Sequence, residues 1–107
     1  MTESRLTYNG ACVLQALAHG ATYGFDVMDL TELPSGTVYP VLRRFEAIGW
    51  VRSEWEDEEH AHGEGRPRRR YYALTEEGRC ALDLASDRFR AHQRLFGAPS
   101  ASAEPAG

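Results

Sequence analysis

Two runs of the chain, "WVRSEWE" at 50–56 and "RRRYYAL" at 68–74, are rich in Val, Trp and Tyr and alternate in character, so they read as strands. The other patterned segments have helical spacing, which makes the chain mainly α with one small β-hairpin. Val51, Ser53 and Trp55 share one face of the first strand, and Tyr72 and Leu74 share one face of the second. Between the strands lies an acidic tract with Glu54, Glu56, Asp57, Glu58, Glu59 and Glu64 beside Gly63 and Gly65. It reads as a long, flexible hairpin tip.

Four helices are expected around this hairpin. Residues 5–19 carry Leu6, Val13, Leu14, Leu17 and Ala18 and end at His19-Gly20. Thr22 can cap a second, short helix from Tyr23 to about Leu30 that buries Phe25, Val27 or Met28. The third lies in "LPSGTVYPVLRRFEAIGWV" (33–51), with Ser35 or Thr37 as N-cap and Pro40 in its first turn. With Thr37 as cap the proline removes no hydrogen bond; with Ser35 it removes the one to the carbonyl of Gly36. Val41, Leu42, Phe45 and Ile48 form its apolar face, and Gly36, Tyr39, Pro40, Arg43, Arg44 and Ala47 fall largely opposite. Gly49 stops it. "TEEG" begins a last helix, Thr75 to about Phe96, in which Leu82, Ala85, Phe89, His92 and Phe96 step as a heptad seam. Leu84, Arg88, Ala91 and Leu95 form a weaker second stripe, and the small-residue tail "GAPSASAEPAG" reads as disordered.

With 107 residues, 42% of them apolar, the chain can build one small domain, and it leaves much apolar surface exposed unless it pairs with another chain. The net charge of -4 and pI near 5.5 exclude a globally basic nucleic-acid binder, so any such site is a local patch. All 12 basic residues are arginine, whose planar fork suits phosphates and guanine edges. Cys12 and Cys80 belong to no CxxC pair and are expected as buried free thiols. Neither a signal-peptide pattern nor an apolar stretch long enough to span a membrane is present, so a soluble, cytoplasmic protein is expected. No catalytic triad order, P-loop or HExxH appears, and no enzyme, cofactor or metal is expected. His60 and His62 in the acidic tip read as solvated rather than as metal ligands.

Three helices followed by a hairpin is the winged helix-turn-helix plan, in which the third helix enters the DNA major groove and the hairpin lies on the backbone or in the minor groove. Thr37 and Tyr39 suit phosphate oxygens, and Arg43 or Arg44 can reach a phosphate or a base edge. "GRPRRRYY" (65–72) adds Arg66, Arg68, Arg69 and Arg70, each suited to a backbone contact, and Pro67 keeps that edge from pairing. Four like charges this close repel one another unless something anionic is bound.

"YGFDVMD" (23–29), "LPSGTVYPVLRRFEAIGWVRSEWE" (33–56) and "GRPRRRYYALTEEGR" (65–79) resemble helix two, the recognition helix, the wing and the final-helix start of the PadR family of bacterial transcriptional regulators. The resemblance covers roughly residues 11–90. It implies a winged-helix DNA-binding domain over 1–74, a dimerisation helix over 75–96 and a disordered tail over 97–107. It further implies a homodimer that represses a nearby promoter from an inverted-repeat operator and is released by a small aromatic effector. By position, Ser35, Gly36, Thr37, Tyr39 and Pro40 correspond to the recognition-helix start, Arg43 and Arg44 to its basic pair, and Arg66 to Arg70 to the wing. Leu6, Tyr8, Leu82, Ala85, Phe89, His92 and Phe96 are the residues expected at the dimer interface and effector pocket. Two features depart from the family pattern: the stretch between Gly24 and Ser35 is short, and the wing tip is acidic. The rival reading is a winged helix used as a protein-interaction module without DNA, and salt dependence of DNA binding separates the two.

Overall fold

An apolar stripe on one helix organises the chain. The computed structural model describes residues 6–95, so Phe96 and the tail 97–107 lie outside the described residues. The elements run α1 (Tyr8–Ala18), α2 (Gly24–Thr31), α3 (Ser35–Ile48), β1 (Val51–Trp55), α4 (Glu58–Gly63), β2 (Arg70–Leu74) and α5 (Glu76–Leu95). The stripe is Val38, Val41, Leu42 and Phe45 of α3, all buried, at the i, i+3, i+4, i+7 spacing of one helix face. It packs with Val13, Leu14 and Leu17 of α1, Val27 of α2, Val51 of β1 and Leu82 of α5. The expected stripe placed Ile48 in the core; Ile48 is instead 43% exposed, because it lies past the end of this set, and Val38 takes the inner position. Gly10 lets α1 come this close, since a Cβ there would meet the Phe45 ring.

The helix starts also differ from expectation. Thr7 caps α1 by accepting from the Gly10 N–H at 3.0 Å. Tyr23, not Thr22, is the N-cap of α2; the Asp26 carboxylate instead accepts from both the N–H and the hydroxyl of Thr22, each at 3.1 Å. Of the three candidates for burial in α2, Val27 is buried and Phe25 is exposed. Pro34 is the N-cap of α3, and neither Ser35 nor Thr37 caps it with a side chain. Pro40 therefore sits deeper than the first turn and withholds the bond to the Gly36 carbonyl. Pro40 and Gly36 are both solvent-exposed, so water can serve that carbonyl and the helix continues unbroken.

β1 and β2 pair antiparallel from Val51↔Leu74 to Trp55↔Arg70. The Tyr72 N–H donates to the Thr22 carbonyl at 2.7 Å and Tyr23 bridges Tyr71, which ties the hairpin to the α1–α2 connector. The tip, expected as a flexible loop, is helical: Asp57 caps α4 by accepting from the His60 N–H, and Ala61 is buried. Thr75 joins the hairpin to α5, its hydroxyl donating to the Gly49 carbonyl at 2.6 Å and accepting from the Gly78 N–H at 3.0 Å. Beyond Leu82, the last buried residue of α5, Leu84, Phe89 and Leu95 are exposed. Cys80 is exposed and Cys12 half-buried, against the expectation of two buried thiols; position 80 falls on the outer side of α5. No helix among the described residues is long and apolar enough to cross a membrane.

Gly78 lies against the backbone carbonyl of Trp50, which cannot move without breaking its bond to the Thr75 N–H. Gly78→Ala should therefore destabilise the fold by about 2 kcal/mol or more, read as a lower urea midpoint at unchanged slope.

Candidate nucleic-acid interface

Because the Val38/Val41/Leu42/Phe45 side of α3 is committed to the core, its opposite side is left to solvent. Ser35, Gly36, Pro40, Arg43 and Arg44 are exposed there, and Thr37 and Tyr39 are half-buried. The Tyr39 side chain lies over Gly24, where a Cβ would overlap it, so the first residue of α2 must be small for Tyr39 to lie there. Arg43 forms no hydrogen bond or ion pair with the described residues, and Arg44 stands 5.3 Å from the centre of the Phe45 ring. The helix N-terminus and these guanidiniums make this the electropositive face of α3.

The wing arginines are not free in the same way. Glu56, 5% exposed, is the one buried charged residue among the described residues. Its carboxylate accepts from Arg66 through both nitrogens, Nη1 to Oε1 at 2.6 Å and Nη2 to Oε2 at 2.8 Å. It also accepts from the Arg69 N–H at 3.1 Å and the Tyr71 hydroxyl at 3.4 Å, and His60 Nε2 stands 3.6 Å away. The Glu56 carbonyl takes the Arg68 Nε–H at 3.1 Å. Arg69 lies 4.1 Å from the centre of the Tyr23 ring, while Arg70 donates to Ser53 Oγ at 3.0 Å and to the Glu46 carboxylate at 3.3 Å. The mutual repulsion expected of this cluster is thus offset from within, by Glu56 and Glu46 and by aromatic faces.

Six of the seven residues expected at an interface or effector pocket meet in one place; the seventh, Phe96, lies outside the described residues. Leu6, Tyr8, Leu82, Ala85, Phe89 and His92 line a groove of about 450 Å³ between α1 and α5, with Cys12, Gln15 and Arg88 among its other walls. Leu82 belongs to the protein's own core, so the outward part of the heptad begins at Ala85. No cluster of metal-ligating side chains occurs among the described residues.

Glu46, Glu56, Tyr23 and Trp55 were not singled out as site residues from the sequence. The hairpin register carries the signal for one of them: one step past Trp55↔Arg70, Glu56 stands opposite Arg69. The Arg66 guanidinium, opposed by burial, holds the Glu56 carboxyl down at about 2, against an ordinary 4.5. A value lower in the folded state than in the unfolded one stabilises the wing fully above pH 4.5, and that stabilisation is lost as pH falls towards 2. Acidification over that window should speed hydrogen exchange of the wing amides in the wild type. In Glu56→Gln the same amides should exchange fast already at neutral pH and respond less to acid, measured by exchange mass spectrometry.

Similarity to known proteins agrees with this geometry. The model of the transcriptional regulator PadR-like family matches residues 13–84. A PadR family transcription regulator from hypervirulent Clostridium difficile R20291 superposes with a TM-score of 0.74 at 24% identity, over 84% of this chain and 95% of that one. A PadR family transcriptional regulator from Eggerthella lenta does so with a TM-score of 0.66 at 25% identity, over 82% and 80%. BpsR of Bordetella bronchiseptica, whose DNA binding is regulated by 6-hydroxynicotinic acid, gives 0.70 at 22% identity, over 95% and 74%. No curated protein matches the sequence. With a family match over well more than half its length, the chain belongs to the PadR-like family of transcriptional regulators, DNA-binding winged-helix proteins and not enzymes.

Proposed function

We propose that the protein is a homodimeric repressor of a nearby promoter, released by a small aromatic effector. The observation that carries the DNA half of this reading is the exposed side of α3, with Arg43 unpaired beside Arg44. Ser35, Gly36, Thr37 and Tyr39 offer backbone and hydroxyl donors to phosphates at the helix start, Pro40 packs along the groove wall, and the arginines reach further in. Arg68, Arg69 and Arg70 add wing contacts, while Arg66 serves chiefly to hold Glu56. Against duplex DNA from upstream of its own gene, binding should be tight and salt-sensitive. Arg43→Ala/Arg44→Ala should weaken it by at least about tenfold, read by fluorescence anisotropy at two salt concentrations. Failure of the wild type to bind at low salt would favour the protein-interaction reading.

The second half of α5 supports dimerisation. The whole helix, 20 residues long, extends about 30 Å, and past Leu82 it presents Leu84, Phe89 and Leu95 to solvent. A second copy laid along residues 75–96 would cover them, and two-fold symmetry would then require an inverted-repeat operator. The α1–α5 groove suits a flat aromatic acid, with apolar walls from Leu6, Ala85 and Phe89 and cationic character from Arg88. That BpsR responds to an aromatic acid supports the same class of effector here. Phe89→Asp should yield a monomer in sedimentation and weaken operator binding by at least about tenfold, since each half-site contact would then be made singly.

A further inference from the structure

Trp55 is 53% exposed at the outer end of β1, and neither the core nor the face of α3 uses it. Strand alternation puts it on the same side as Val51, which is buried, and Ser53, whose hydroxyl donates to Glu46 of α3. Trp55 is the next step outward along that side, so its surface continues the exposed face of α3. Two guanidiniums are held at its ring: Arg68 at 5.2 Å and Arg70, its partner across the hairpin, at 5.4 Å from the ring centre. Both are fixed by other bonds, Arg68 through Nε to the Glu56 carbonyl, and Arg70 through Nε to Ser53 and Nη2 to Glu46. Both Nη groups of Arg68 and Nη1 of Arg70 have no partner among the described residues.

With two guanidiniums over the indole, its remaining exposed surface and their spare donors lie side by side, an arrangement complementary to a deoxyribose between two phosphates. Resting on the reading that α3 and the wing bind duplex DNA, we propose that Trp55 is the wing's contact residue: its indole lies against backbone sugar while Arg68 and Arg70 take the adjoining phosphates. The pre-set rotamers lower the entropy lost on binding. Arg43 of α3, Arg70 and Glu46 all act electrostatically on Tyr72, so the wing surface adjoins the helix face read as entering DNA, which favours DNA over an acidic protein as the occupant.

Trp50, packed 5.2 Å from Phe45, is the other tryptophan, and Trp50→Phe keeps an aromatic ring there and leaves Trp55 as the sole indole fluorophore. In that variant, saturation with upstream duplex DNA should cut acrylamide quenching of Trp55 by at least about threefold. In the otherwise wild-type protein, Trp55→Leu should lower affinity about tenfold while Trp55→Phe stays within about threefold, because a ring and not mere apolarity is needed. A bound complex in which Trp55 remains as quenchable as in the free protein overturns the proposal, and so does wild-type affinity in Trp55→Leu. The quenching measurement decides even if Trp55→Leu proves unstable. Absence of any binding by the wild type at low salt is a different result, and it removes the DNA reading along with the contact.

Discussion

The burial of Val38, Val41, Leu42 and Phe45 is the constraint on which the remaining structure depends. Once those side chains are in the core, α3 cannot rotate about its axis, and its polar residues have one direction left to face. The same packing sets the start of the hairpin, because Gly49 turns the chain directly after α3 with a φ of 90° and Val51 re-enters the core. α5 is then aimed by Thr75 and by the fit of Gly78 against the Trp50 carbonyl. Side chains with no chemistry of their own thereby position those that have it.

Charge is handled separately from packing. The chain is acidic overall, yet it keeps Arg43 and Arg44 uncovered on α3 and gives most of its wing arginines internal partners. Glu56 neutralises Arg66, and Glu46 reaches from α3 to Arg70, so the recognition helix and the wing share an ion pair. That shared pair, with Ser53 between, joins two elements whose backbones are connected only through the turn at Gly49. Burial pushes the Tyr72 hydroxyl above its ordinary value while Arg70 beside it pulls the other way, which marks this junction as partly shielded from water.

The order of the first three helices, the two strands and the start of the last helix were legible because each rests on local periodicity or a local start or stop signal. Gly49, the His19-Gly20 end of α1 and the Thr75 cap are all decided within a few residues. The errors are of another kind. Ile48 and Phe25 are apolar residues at the edge of their stripes, and which edge is covered depends on where neighbouring helices end. The Pro34 cap of α3 was missed because Ser35 and Thr37 are the better capping chemistry, and tertiary placement overrode it. The acidic tract was read by composition as a loop, whereas Asp57 and the buried Ala61 make it a helical turn. The Glu56–Arg66 pair depends on hairpin register and remained invisible until the strands were paired.

That pair has a topological consequence. It spans the wing at the point where the strands end and α4 begins, so the hairpin is divided into two separately closed loops. Entropy of closing the lower loop is already met by the strand ladder, and the upper one is closed by the ion pair. Changes at the outward positions of α4, away from His60 and the buried Ala61, need not propagate into the register from Val51↔Leu74 to Trp55↔Arg70. The outward side of the wing tip is thereby free to diverge in sequence while the strands beneath it keep their alignment with α3.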